Sequence, residues 1–130
     1  MEINWEKLRL QALQASKNAY APYSNFPVGA AAIVDDGRVI TGANVENASY
    51  GLTLCAECSL ISELFSSGGG KLVAFCCVDA EGAVIMPCGR CRQLLSEHAA
   101  AGMMMETVSG IKSIEEVIPD AFGPSDLEES

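Results

Sequence analysis

The sequence has no apolar run long enough to span a bilayer, which argues against a membrane-embedded helix. Its first residues, Met1-Glu2-Ile3-Asn4, lack the basic region and apolar core of a secretory leader, so a cytoplasmic location is expected. Basic side chains are scarce: eight Lys and Arg stand against seventeen Asp and Glu, giving a net charge of −9. Polynucleotide binders neutralise phosphates with Lys and Arg, and this chain has few to spare. Neither a nucleic-acid nor a membrane partner is expected, and a small-molecule ligand fits better. Gly68-Gly69-Gly70 is not followed by the Lys and Ser/Thr of a phosphate-binding loop and reads as a helix stop. Repeats, linkers and low-complexity segments are all missing. Histidine is reduced to His98, which falls two helical turns past Cys91, on the order of 10 Å along a helix axis, and reads as a surface or packing residue.

What remains is an ordinary globular composition, 49% hydrophobic and 19% charged over 130 residues, which suits one domain with a proper core. Residues from about 124 to 130, with Asp126-Leu127-Glu128-Glu129, read as a solvated tail. Trp5, Leu8, Ala12, Ala15 and Ala19 recur at helical spacing behind a capping Asn4. Val28 to Val34 predicts a strand, Asp35-Asp36-Gly37 a hairpin turn, and Arg38 to Thr41 its partner. A polar connection, Asn44 to Leu52, leads into a helix from about Leu54 to Phe65. Lys71 to Asp79 is apolar throughout and predicts a buried central strand. Pro87 opens a third helix, Gly102 follows it, Met103 to Val108 predicts another strand and Ser113 to Val117 a short helix. This alternation gives an α/β fold with one sheet sandwiched between helices.

Chemistry concentrates in the cysteines. Four of the six form two short pairs, Cys55-Ala56-Glu57-Cys58 and Cys88-Gly89-Arg90-Cys91, and paired cysteines in a reducing compartment point to metal rather than disulfides. Cys76 and Cys77 sit in an apolar run and read as core. Cys55, Cys88 and Cys91 each fall near the start of a predicted helix, where the partial positive charge favours a thiolate. Three thiolates on zinc leave one tetrahedral position for water, the pattern of a catalytic rather than a structural site. Glu57, two residues beyond Cys55, turns away from the ligand and is placed to move protons. The rival is a closed four-cysteine site that includes Cys58. It has a long intervening segment, a helical pattern from Cys55 to Phe65 in place of a knuckle, and no task for Glu57.

A Cys-Ala-Glu segment followed by Pro87-Cys88-Gly89-Arg90-Cys91 matches the zinc nucleobase-deaminase signature, with cysteine in the place of histidine. Together with Tyr23-Ser24-x-Phe26-x-Val28-Gly29-Ala30, Gly42-x-Asn44-x-Glu46-Asn47 and Cys91-Arg92-Gln93, the chain resembles the cytidine deaminases of the small homotetrameric kind over nearly its whole length. The resemblance implies a three-layer α/β/α sandwich around one mixed sheet, a zinc ion, a nucleoside substrate and a role in pyrimidine salvage. It implies that Phe26 stacks near the pyrimidine and that Asn44 and Glu46 bind ribose hydroxyls. It also implies that the Ala56 amide contacts the base and that Phe122 reaches a neighbouring subunit's pocket. From their chemistry alone, Asn44 and Glu46 serve equally as turn residues, and Tyr50 either lines the pocket or packs in its loop. Many relatives carry arginine where this chain has Cys58, so Arg92 or Arg90 is the candidate to offset thiolate charge. Met103-Met104-Met105 reads as strand core or subunit interface. Deaminases of other nucleosides, such as a nucleoside antibiotic, would use the same zinc site.

Overall fold

The computed structural model describes residues 2–128; Met1 and the Glu129-Ser130 end of the expected tail lie outside the described residues. Helix α1 spans Trp5–Ser16, and the Asn4 side chain caps it by accepting the Lys7 N–H at 3.1 Å. It ends before Ala19, which the helical spacing had included. Strands β1 (Val28–Val34) and β2 (Val39–Ala43) form the expected hairpin. Then come α2 (Ala56–Ser66), β3 (Leu72–Asp79), α3 (Gly89–His98), β4 (Ala99–Thr107), β5 (Gly110–Ser113) and α4 (Ile114–Val117).

The five strands make one sheet in the order β2-β1-β3-β4-β5, parallel between β3 and β4 and antiparallel elsewhere. Both faces are covered, which is why β1 and β3 are apolar along their length rather than alternating with polar residues. One face of the sheet shows Ala31, Ala74, Cys76 and Val78 to Leu8 and Ala12 of α1. Ala30, Ala32, Phe75 and Cys77, one residue out of phase, face Leu60, Leu64, Leu95 and Val117 from α2, α3 and α4. The result is the mixed-sheet α/β/α sandwich. Helix α2 approaches β2 so closely that a Cβ at Gly42 would stand 2.5 Å from the Ala56 carbonyl oxygen and 2.5 Å from the Leu60 nitrogen. Glycine at 42 therefore seats the first two turns of α2 on the sheet.

Four further details depart from the sequence expectations. Helix α2 begins at Ala56 rather than Leu54, because Leu54 exchanges both backbone hydrogen bonds with Val45 and is held extended. Helix α3 begins at Gly89, with Cys88 rather than Pro87 at its border. Strand β4 starts directly at Ala99, and Gly102 lies inside it at φ +73°, where the left-handed backbone takes up a shift of register against β3. The edge strand β5 was missed: Gly110-Ile111-Lys112-Ser113 shows no apolar alternation and is ordered by pairing with Met104–Thr107. Within the expected tail, Pro124–Leu127 forms a 3₁₀ turn. Met103 and Met105 are buried in the core, so only Met104 of that run is left partly open. No helix among the described residues is long and apolar enough to cross a membrane.

Candidate metal centre and active site

Cys55 and Cys88 occupy equivalent places, each the residue just before the first turn of a helix, with extended backbone (φ −67°, ψ 159° and φ −65°, ψ 169°). Neither side chain caps its own helix, so both thiols are free to turn toward a common point. Cys91, in the first turn of α3, joins them: the three sulfur atoms lie within 4.8 Å of one another. Thiolates about 2.3 Å from a tetrahedral zinc sit about 3.8 Å apart, so the donor set fits that ion. Cys58 is not part of the cluster. It lies one turn further along α2 and lines a different cavity with Arg90, Leu94 and Cys91 itself.

Burial pushes the Cys55 and Cys91 thiols above their ordinary pKa; Cys91 is raised further by the Glu57 carboxyl beside it. Cys88 moves the other way, because the backbone N–H groups of Cys91 and Arg90 at the start of α3 favour its thiolate. Glu57 is 4% exposed, and burial raises its carboxyl above the usual range.

Cys55, Cys88 and Glu57 line one wall of a cavity of about 190 Å³, completed by Val28, Asn44, Thr53, Cys77, Ile85, Met86 and Pro87. The Ala56 N–H, at the first position of α2, has no intrahelical acceptor and belongs to the same wall. A second cavity of about 330 Å³ is lined by Tyr23, Ser24, Glu46, Tyr50 and Thr53.

The chain matches the family model described as the cytidine and deoxycytidylate deaminase zinc-binding region over residues 3–107. It belongs to the cytidine and deoxycytidylate deaminase family. It is 55% identical over 126 residues to the cytidine deaminase of Mycobacterium tuberculosis, covering 97% of this chain and 95% of that protein. The cytidine deaminase of Halalkalibacterium halodurans is 42% identical, covering 90% of this chain and 92% of that one. The crystal structure of the Mycobacterium tuberculosis cytidine deaminase superposes with a TM-score of 0.90 at 55% identity, covering 94% of this chain and 99% of that chain. The Mycobacterium leprae structure gives 0.89 at 56% identity, covering 92% and 100%. The chain is thus a deaminase-family enzyme with a zinc-binding centre.

The remaining expected residues of this deaminase-family site take distinct places. Asn44 lies on the wall of the first cavity, where its side chain ties down the Phe26–Val28 backbone. Its Oδ1 accepts the Val28 N–H at 2.9 Å, and its Nδ2 donates to the Phe26 carbonyl at 3.0 Å. Glu46 accepts the Tyr23 and Ser24 N–H groups at 3.0 and 3.1 Å and the Ser24 hydroxyl, bonds that lower its pKa. Both residues therefore organise turns as well as facing a cavity. Tyr50 stands at the mouth of the second cavity, 76% exposed and edge-on to Tyr23. The Phe26 ring is exposed, as is that of Phe122, whose carbonyl accepts from Gln93 Nε2 at 2.7 Å. The Arg92 guanidinium donates to the carbonyls of Pro87 (2.8 Å) and Val117 (3.3 Å), bracing the segment that leads into Cys88. Arg90 is exposed, beside Cys58. His98 packs edge-on to Phe65, at 5.2 Å between ring centres.

Sequence reasoning missed Cys77 and Thr53 as cavity residues. Cys77 belongs to the core as expected, but its thiol also donates to the Ile85 carbonyl at 3.2 Å and its side chain reaches the cavity wall. No local signal separates that position from Cys76, which points to the α1 face. Thr53 sits in a polar connection without a motif of its own.

Proposed function

We propose that the enzyme hydrolyses cytidine and deoxycytidine to uridine and deoxyuridine with release of ammonia, as a cytoplasmic step of pyrimidine salvage. The observation that carries this reading is the buried Glu57 carboxyl beside three convergent thiols, two of which line its cavity. Cys55, Cys88 and Cys91 would hold zinc, which when bound supplies a Lewis acid that brings the pKa of a water molecule toward neutrality. Glu57 takes the proton of the attacking water and delivers it to the pyrimidine ring nitrogen, then assists the departing amine. In the balanced reaction an oxygen–carbon bond forms at carbon 4, the exocyclic carbon–nitrogen bond breaks, and the nitrogen leaves as ammonia with the transferred protons.

The Ala56 N–H holds the base, and Phe26 stacks near it. Asn44 keeps one N–H and one lone pair unused, and Glu46 retains a lone-pair position after its three bonds, so both have capacity for ribose hydroxyls. Tyr50 borders the sugar end. Arg92 and Arg90 temper the charge of the thiolate centre. The purified protein mixed with cytidine should show the fall in ultraviolet absorbance that accompanies deamination and contain one zinc per chain by elemental analysis. A protein that is fully active without metal, or inert toward cytidine, would end this reading.

The single domain of residues 1–130 assembles as a homotetramer in this proposal. The Phe122 ring, 57% exposed and absent from the lining of both cavities of its own chain, is free to enter a neighbour's pocket. Light scattering should report four chains, and Phe122→Ala should lower activity while zinc content stays at one per chain. An active monomer would reject the assembly.

A further inference from the structure

The cavity beside the thiols and the cavity beside Glu46 hold complementary chemistry, and Thr53 is the residue that lines both. A nucleoside joins base to sugar through a single bond. If the base sits against Glu57 and the sugar against Glu46, that bond passes over Thr53. We propose that Thr53 is a further substrate-binding residue, its hydroxyl donating a hydrogen bond to the nucleoside at the junction of base and sugar. This inference rests on the nucleoside reading above.

The local geometry prepares the hydroxyl for that task. Thr53 closes the short 3₁₀ turn Tyr50–Leu52, with its backbone N–H donating to the Tyr50 carbonyl at 3.1 Å. Its Oγ1 accepts the Asn47 N–H at 3.2 Å, which fixes the oxygen and uses one lone pair. A hydroxyl carries one proton to donate, and among the described residues no acceptor for the Thr53 proton is present. The residue is half-buried, so an unused donor there gains from a ligand partner.

The ligand chemistry matches in sign. Directly flanking the bond between base and sugar, a pyrimidine nucleoside presents two pure acceptors, the 2-carbonyl of the base and the ring oxygen of the furanose. A donor suits that point, whereas the sugar hydroxyls further out can donate and suit the Glu46 carboxylate. A ligand lacking the junction acceptor would leave the threonine proton unpaired, and sites built around a hydrogen bond discriminate against such analogues.

The test pairs variants with substrates. Thr53→Val removes the hydroxyl at constant shape, and Thr53→Ser keeps it. On cytidine, Thr53→Val should lower kcat/KM about threefold to tenfold, mostly through KM, in line with one neutral hydrogen bond. Thr53→Ser should stay within about twofold of the parent by the same reasoning. The penalty of Thr53→Val should vanish on one of two analogues, 2-thiocytidine or carbocyclic cytidine, which weaken the base and sugar acceptors respectively. Thr53→Val also strips the Asn47 N–H of its acceptor, but a loop disturbed in that way would cost the same on every substrate. An equal penalty on all three substrates, or a serine variant as impaired as the valine variant, overturns the proposal. A parent enzyme inert toward cytidine would instead refute the nucleoside reading itself, an outcome visible before any variant is made.

Discussion

Glu57→Gln should keep its zinc and still bind a cytidine analogue, yet lose turnover by 10²–10⁴-fold or more, the range attributable to a positioned proton-transfer group. The glutamine side chain has the same shape and fits the same place in the first turn of α2, where the residue is 4% exposed. What it cannot do is take up a proton and give it back. Burial raises the glutamate pKa, the direction that eases uptake of a proton. Single-turnover rates, metal content and analogue binding measured on the same preparation separate these contributions. Near-parental turnover with zinc retained would remove Glu57 from the proton path. A purely structural zinc site would be indifferent to the change.

The second large effect contrasts two cysteines of one helix. Cys55→Ser should lose zinc and activity together, because it removes one of three sulfurs clustered within 4.8 Å. Cys58→Ser should keep both, with only a small loss of stability from replacing a partly buried, weakly polar thiol. Residues three apart on a regular helix share a face, and on that ground the two sulfurs would approach one metal. Cys55, however, is the residue before the helix, with extended backbone, so its side chain leaves the helical path while Cys58 follows it. Zinc release followed with a chromogenic chelator, beside thermal unfolding, distinguishes the variants. Equal release from both would make Cys58 a ligand and close the coordination position kept for water.

Much of this was legible along the chain because it depends on near neighbours. The cap at Asn4, the strand Val28–Val34, the apolar run ending at Asp79 and the offset between Cys55 and Glu57 are all decided within a few residues. Apolar content on both faces of β1 and β3 announces a covered sheet before any coordinate is known. By itself the sequence also pointed to a thiolate metal centre with a carboxylate beside it, while the nucleoside substrate came from the resemblance to a known family. Tertiary structure decided the rest. It selected three of the four paired cysteines, since convergence depends on how two helix starts meet on one face of the sheet. It moved the starts of α2 and α3 to Ala56 and Gly89, because the Leu54–Val45 bridge overrides local helix preference at one of them. It ordered β5, which has no pattern to read until β4 lies beside it. It also placed Thr53 between two cavities built from segments far apart in sequence. Spacing reports contacts made within a turn or a strand, whereas a cavity wall forms only when the packed core brings distant segments to one place.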